Sequence, residues 1–145
     1  ILLGLQHDPK GAYADLHDHP LALHSDLVEK NIAEISGLWM AYQEYVIRPE
    51  HRKLADDYAE SRNKLVQEGL LPARKALLDG VFRAANLLLL EKVNPSYNQV
   101  GVKTEALLKY LSQRAEIEMN EARASYEQTR DVQIAVLVLL LVIGI

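Results

Sequence analysis

The chain has 145 residues, of which 49% are hydrophobic and 25% are charged, a balance typical of one globular domain. Its net charge of -4, with acidic and basic residues interleaved, argues against nucleic-acid binding, which needs clustered Lys and Arg. No cysteine is present, so disulfides and thiolate metal sites are excluded.

The first twenty residues are predicted to form a helical fragment and a loop. Ile1–Gln6 is apolar, and we expect it to be the end of a longer helix that starts before residue 1. His7–Pro20 is interrupted by Pro and Gly, which favour turns, and we expect one short helical turn in it around Tyr13–Leu16.

Helical periodicity becomes regular after Pro20, which suits the first turn of a helix. Apolar residues then recur at alternating steps of four and three, at Val28, Ile32, Ile35, Trp39, Tyr42 and Val46. This helix is predicted to stop before Arg48-Pro49, because the residue before a proline disfavours helical geometry.

Pro49 is predicted to open a second helix that ends at Asp79-Gly80, where glycine favours a left-handed cap. Its core face presents Leu54, Tyr58, Ser61 and Leu65. A connection this short predicts antiparallel neighbours. Pro72 predicts a kink near Glu68, because an interior proline removes one backbone hydrogen bond.

The third long helix is predicted to run from Phe82 to Asp131, about 75 Å at 1.5 Å per residue, with a kink at Pro95. It would overhang the preceding hairpin, so we expect a first helix, truncated here to Ile1–Gln6, to cover it. The predicted fold is an all-α, antiparallel up-down-up-down four-helix bundle. The apolar run Ile134–Ile145 predicts that residues 132–145 begin a transmembrane helix, the alternative being an apolar helix end packed on a partner.

Polar residues interrupt the apolar seam of this last helix. At steps of three and four, one face presents Leu87, Leu90, Asn94, Tyr97, Gly101, Thr104, Leu108, Leu111 and Ala115. Polar groups that face a core need hydrogen-bond partners, and a glycine beside them leaves room for one. Asn94, Tyr97, Gly101 and Thr104 therefore predict either one side of a small-molecule pocket or a buried polar layer that sets helix register.

Two arginines near the Gly80 turn are candidates for binding an acidic ligand. Arg74 is flanked by Leu71 and Leu78, and Arg83 opens the third helix. A guanidinium can hold a carboxylate through two hydrogen bonds. The alternative is that both are solvated arginines at helix ends.

Histidines and aspartates are concentrated before the first long helix, at His7, Asp8, Asp15, His17, Asp18, His19 and His24. They suggest a metal site, but their spacing is not that of a helical His-Glu-x-x-His motif. We interpret them as a polar loop whose side chains cap helices, and predict no metal site and no cofactor. No phosphate-binding loop, thiol or nucleophile motif is present, so the chain is not predicted to be an enzyme.

The chain resembles the periplasmic four-helix-bundle sensor domain of bacterial methyl-accepting chemotaxis receptors. The resemblance covers essentially the whole chain and rests on four local sequences: Leu5-Gln6-His7-Asp8-Pro9, His17-Asp18-His19-Pro20, Glu68-Gly69-Leu70-Leu71-Pro72 and Val93-Asn94-Pro95-Ser96-Tyr97. In aspartate and serine receptors, a Gln-Pro-Thr stretch contacts the ligand amino group and first-helix arginines hold its carboxylates. Asn94-Pro95-Ser96 is similar to that stretch, so the resemblance implies ligand contacts from Asn94 and Ser96, beside Tyr97.

The resemblance also implies a location and a partner. Residues 1–131 would be a periplasmic sensor domain of a receptor in the bacterial inner membrane, held there by the C-terminal segment. It would act as a homodimer or higher oligomer, bind an organic acid or amino acid, and signal by displacement of the last helix. Two alternatives remain: a membrane-anchored structural bundle without a ligand, or the sensor of a histidine kinase or cyclase.

Overall fold

The computed structural model describes residues 1–143, and this part of the chain is all-α, without a β-strand, as predicted. The helices are α1 (Leu2–Leu5), α2 (Leu21–Gln43), α3 (Pro49–Lys64), α4 (Leu71–Leu78), α5 (Phe82–Leu88) and α6 (Asn94–Ile143). A first π segment, Leu65–Leu70, joins α3 to α4, and a second, Leu89–Val93, joins α5 to α6. The loop before α2 contains one 3-10 turn, Ala14–Leu16, where a helical turn was predicted.

The chain divides into two compact units, Ile1–Leu107 and Leu108–Ile145. The first contains all the helices and π segments up to the first part of α6. The second continues α6, and residues 115–142 of it are all exposed.

Helices α2 and α3 form an antiparallel hairpin that continues into α4. Tyr42 pairs with His51, Ser36 with Arg62 and Glu29 with Arg74. Residues further along α3 and α4 thus contact residues nearer the N-terminus of α2, as expected for antiparallel neighbours. The predicted face of α2 is buried or half-buried at every position except Ile35, which is 45% exposed.

Local chemistry sets the ends of these helices as predicted. Pro20 occupies the N-cap of α2 and Pro49 the first position of α3. Gly80 has a φ of 71°, the left-handed conformation that glycine adopts without strain. The N–H groups of Gly80 and Val81 donate to the carbonyls of Leu77 and Ala76, which closes α4 with a Schellman motif.

The helix widens into a π turn just before Pro72 and again just before Pro95. The N–H of Leu71 donates to the carbonyl of Val66, five residues back, and the N–H of Asn94 donates in the same way to Leu89. A π turn holds one residue more than an α turn, which accommodates a proline that lacks its own N–H. The irregularities predicted at Pro72 and Pro95 are therefore π segments that precede each proline.

The two π segments pack against each other, and the buried core lies between them. Leu65 and Val93 come from the two π segments and Ala73 from α4. The half-buried residues around them are Ile1, Leu70, Leu88, Leu89 and Val100. The helical fragment α1 also contacts the hairpin, since Gly4 is buried against Leu77 and Leu21.

The prediction that the seam from Leu87 to Ala115 faces the core of this chain is wrong. Its members are exposed, apart from Thr104 and Leu111, which are half-buried. The residues of α5, the second π segment and α6 that do face the core are Ala85, Leu89, Val93, Ser96, Val100 and Leu107. From Leu89 onward this face lies one position earlier in sequence than the predicted seam, which is about 100° around a helix of 3.6 residues per turn.

Among residues 1–143, no helix is sufficiently long and apolar to cross a membrane. The predicted transmembrane start at 132–145 lies in the helical part of the chain as far as Ile143, and its last two residues lie outside the described part.

Candidate functional site

The structure divides the predicted ligand contacts between two faces of α6. Asn94, Tyr97 and Gly101 lie together on the exposed face, where Tyr97 is 68% exposed. Thr104 is half-buried on the same face, and its hydroxyl donates to the carbonyl of Val100 at 2.8 Å. Ser96 is 7% exposed and faces the core. A ligand on the exposed face would therefore meet an amide and a phenol, but not the Ser96 hydroxyl.

Arg74 is held by α2. Its Nε donates to the carbonyl of Ser25 at 3.1 Å, and its Nη2 donates to Glu29 Oε2 at 2.6 Å and lies 3.9 Å from Asp26 Oδ1. These contacts use the Nε–H and one Nη2–H of the guanidinium, which is partly buried. The side chain thus joins α4 to α2, and the nitrogens that make these bonds are directed at α2 rather than at a ligand.

Arg83 lies at a different place, an open cavity of about 440 Å³ beside the Gly80 turn. The cavity is lined by Asp8, Pro9, Lys10, Gly80, Val81, Phe82 and Arg83. Two cations and one carboxylate border it. Neither Arg74 nor the residues of the exposed face of α6 line this cavity.

A cleft that the sequence analysis missed lies between α3 and α6. It has a volume of about 500 Å³ and is lined by Ser61, Asn98, Gln99, Val102 and Lys103. At its edge Lys103 Nζ donates to Asp57 Oδ2 at 2.9 Å. These α6 residues lie off the predicted seam. The signal that was present is the polar pair Asn98-Gln99, together with Ser61 on the predicted face of α3.

Three histidines before α2 and one in its first turns converge, contrary to their interpretation as helix caps. No side-chain hydrogen bond caps α1, the 3-10 turn or α2. Instead, one donor atom from each of His7, His17, His19 and His24 lies within 4.8 Å of those of the other three. The rings of His7 and His17 are closest, with centroids 4.1 Å apart.

A turn between these histidines explains how distant positions meet. The N–H of Gly11 donates to the carbonyl of Asp8 at 2.8 Å, with Pro9 at the second turn position. The Asp8 carboxylate also accepts from the N–H of Lys10, at 3.0 Å. The chain reverses there, and the 3-10 turn then leads back to His17.

Hydrogen bonding within the cluster is incomplete. His19 Nε2 lies 2.9 Å from His24 Nε2, and His19 Nδ1 lies 3.0 Å from Asp18 Oδ1. His7 Nε2 is buried and has no hydrogen-bond partner among residues 1–143. An unsatisfied buried polar group costs about 1–3 kcal/mol, so this arrangement calls for an explanation.

Electrostatics keep part of the cluster uncharged. Burial lowers the pKa of His7, and the nearby imidazoles of His17, His24 and His19 lower that pKa further. Burial, followed by His19 and His17, also lowers the pKa of His24. The hydrogen bond with His19 lowers the pKa of the Asp18 carboxyl. At neutral pH, His7 and His24 are therefore neutral imidazoles, and each has a nitrogen lone pair available.

A family comparison identifies the chain's class. The family model described as Tar ligand binding domain homologue (TarH) matches residues 12–115, more than half of the chain. The chain belongs to the TarH family. TarH members are periplasmic ligand-binding domains of chemoreceptors, which confirms the resemblance and the helical-bundle fold class. They are not enzymes, in agreement with the sequence prediction.

Residues 12–115, which the TarH model matches, contain α2 to α5, the cleft at Lys103 and the exposed face of α6 around Tyr97. Of the four clustered histidines, His7 lies before it. No curated protein and no solved structure matches the chain significantly.

Proposed function

We propose that this TarH domain is the extracytoplasmic sensor of a chemotaxis receptor in a bacterial inner membrane, and that it binds a small organic acid or amino acid from the periplasm. The observation that carries the proposal is the family match over residues 12–115. The ligand class comes from the resemblance of Asn94-Pro95-Ser96 to the ligand-contacting stretch of amino-acid receptors.

The exposed face of α6 is the proposed ligand surface. Asn94 offers an amide, Tyr97 a phenol, and Gly101 has no atom within 4 Å of the position where a Cβ would lie. Thr104 completes the face. Arg83 remains a candidate cation for a carboxylate, whereas the contacts of Arg74 with Glu29 support a structural role for that residue.

A second copy of the chain is the proposed cover of this face. The apolar residues that flank the polar ones are Leu87, Leu90 and Leu108, which are 46%, 56% and 59% exposed. A repeating stripe of exposed leucines is typical of a helix that packs on a partner. A homodimer would bury the stripe and enclose Asn94 and Tyr97 at its centre, which places the ligand at the interface.

Signalling through α6 follows from its continuity. The helix runs unbroken from Asn94, in the proposed ligand surface, to Ile143, in the apolar C-terminal run. A ligand that favours one of two packings of such a helix shifts the balance between them along its length. We propose that the C-terminal segment enters the membrane and conveys this displacement.

A thermal-unfolding screen tests the ligand and its site. The probes are amino acids, C4 dicarboxylic acids and aromatic acids, each added to the chain in EDTA. Binding raises Tm by mass action, by an amount that grows with ligand concentration. Asn94→Ala and Tyr97→Ala should abolish the rise, while Tyr126→Ala should retain it, because Tyr126 is also 68% exposed but lies in the second unit.

Two other outcomes of this screen would contradict the proposed ligand surface or the proposed ligand class. A ligand response that survives in both Asn94→Ala and Tyr97→Ala but is lost in Asn98→Ala would move the site to the cleft at Lys103. If no probe changes Tm at any concentration, the structural-bundle alternative is favoured over a sensor of these acids.

A further inference from the structure

We propose that His7, His17, His19 and His24 form a binding site for one divalent first-row transition-metal ion, which Zn²⁺ serves to probe. The site shares no residue with the proposed ligand surface on α6, so the two proposals stand or fall separately. It goes beyond the recognition of an organic acid or amino acid.

The donor set selects the class of ion. Four imidazole nitrogens suit Zn²⁺, Ni²⁺, Co²⁺ and Cu²⁺, whereas Mg²⁺ and Ca²⁺ prefer oxygen ligands. Zn²⁺ in proteins is almost always tetrahedral when four residues hold it. The number of donors here equals that coordination number.

The spacing of the donors is close to that of a metal site. The four donor atoms lie within 4.8 Å of one another. Nitrogens about 2.0–2.1 Å from a tetrahedral Zn²⁺ are ~3.4 Å apart. The widest pair must therefore approach by up to about 1.4 Å, which requires the imidazole side chains to rotate inward. His19 Nε2 and His24 Nε2, 2.9 Å apart, would separate slightly to admit the ion.

Two features of the cluster are what a metal site requires. His7 Nε2 is buried and has no hydrogen-bond partner among the described residues, so its hydrogen-bonding capacity is unused. His19 Nδ1 lies 3.0 Å from the Asp18 carboxylate. A proton on Nδ1, donated to that carboxylate, leaves the Nε2 lone pair of His19 directed at the other histidines. Metal-binding histidines in proteins are oriented in this way by a carboxylate behind the ring.

An ion at this site would connect segments that are far apart in sequence. His7 follows α1, His17 and His19 lie in the loop, and His24 lies near the start of α2. The ion would tie the α1 fragment and the loop to α2. Because the four nitrogens are assembled only in the folded chain, binding stabilises the folded state by an amount that rises with the logarithm of ion concentration above the dissociation constant.

The test is a titration of the EDTA-treated and desalted chain with ZnCl₂, followed by calorimetry and by thermal unfolding. We expect saturable binding of one Zn²⁺ per chain and a Tm that rises with Zn²⁺ concentration. NiCl₂ should also bind, whereas MgCl₂ at the same concentrations should not change Tm. No saturable Zn²⁺ binding by the wild-type chain would overturn the proposal.

Single histidine replacements locate the site. His19→Gln and His24→Gln should each weaken Zn²⁺ binding by at least tenfold, with helix content unchanged by circular dichroism. His51→Gln is the matched control, because His51 is the fifth histidine and contacts Tyr42, about 27 Å along α2 from His24. If His24→Gln does not fold, His19→Gln decides, since the His19 side chain is 30% exposed. Equal affinity in wild type and His19→Gln would contradict the assignment.

A pair of aspartate variants separates a built site from attraction to a charged loop. Asp18→Asn removes the carboxylate behind His19 and should weaken Zn²⁺ binding about 10–100-fold. Asp15→Asn removes an equal charge from the same loop and should leave the affinity within about twofold of wild type. Equal losses in the two variants would show non-specific attraction of cations and overturn the site.

Discussion

A Cβ atom added to Gly69 would lie 3.4 Å from the Cα atom of Val93 and 3.3 Å from its Cγ2 atom. The two π segments thus approach each other at backbone distance, beside the core residues Leu65 and Ala73. A Cβ at position 69 makes a tight contact with Val93, and a larger side chain would require the two π segments to move apart.

Gly69→Leu should therefore destabilise the domain by about 1–3 kcal/mol, as overpacking of a core does. Gly37→Leu is the matched control, because Gly37 is also helical and its Cβ position has no atom within 4 Å. That variant should be neutral or slightly stabilising, since leucine favours helices more than glycine. Urea denaturation measures both. Equal stability of the two variants would contradict the close packing at Gly69.

Gly80→Ala should destabilise the domain by about 1–2 kcal/mol, because alanine is strained in the left-handed conformation. Gly80 has a φ of 71° and open space around its Cβ position, so the loss would come from the backbone alone. Gly80→Asn should lose less, as asparagine tolerates this conformation. If chemical denaturation shows that Gly80→Ala is as stable as Gly80→Asn, or more stable, the backbone explanation of the α4 cap is wrong.

Arg74→Ala should cost about 1–2 kcal/mol of unfolding free energy, because it removes charge-assisted hydrogen bonds to Ser25 and Glu29 in a partly buried position. Arg83→Ala removes the same side chain from an exposed position and should change stability by less than about 0.5 kcal/mol. Arg74→Lys should recover only part of the loss, since a lysine lacks the planar fork of donors. If Arg83→Ala lowered Tm more than either Arg74 variant, thermal unfolding would contradict this structural role of Arg74.

Leu90→Glu should abolish the proposed homodimer, because it introduces a charge into the exposed stripe of Leu87, Leu90 and Leu108. Leu38→Glu is the control, since Leu38 is 66% exposed on α2 and lies outside the stripe. Sedimentation velocity should give a monomer for Leu90→Glu and a dimer for Leu38→Glu. A wild-type chain that stays monomeric at all concentrations, with and without ligand, would refute the dimer proposal.

The hairpin was predictable because its signals are local. Pro49 and Gly80 fix helix ends through their own backbone preferences, whatever packs around them. The apolar period of α2 was equally clear, and only Ile35 departed from it.

The face of the last helix was not predictable from periodicity. Four consecutive leucines, Leu87 to Leu90, cover every side of one turn, so they cannot set the phase of the seam. Two stripes one position apart are then both largely apolar, and only tertiary packing selects the one that contains Val93 and Leu107.

The histidine cluster needed the path of a loop. Its members are ten, two and five positions apart, which matches no regular helical spacing. They meet because the turn at Asp8–Gly11 reverses the chain, and sequence patterns alone do not give the direction a loop takes after such a turn. The family resemblance predicted ligand contacts from Asn94 and Ser96, and the structure puts these two residues on different faces of α6.

The second π segment also absorbs one surplus residue without changing the direction in which α6 presents its faces. A π turn contains one residue more than an α turn, so deletion of one residue within Leu89–Val93 would restore α-helical pitch. The tighter turn offsets the lost residue, so Ser96, Val100 and Leu107 would still face the core. The same deletion in a continuous α-helix would rotate every later position by about 100°. The π turn thus makes the side of α6 that is offered to a partner insensitive to a change of one residue in chain length.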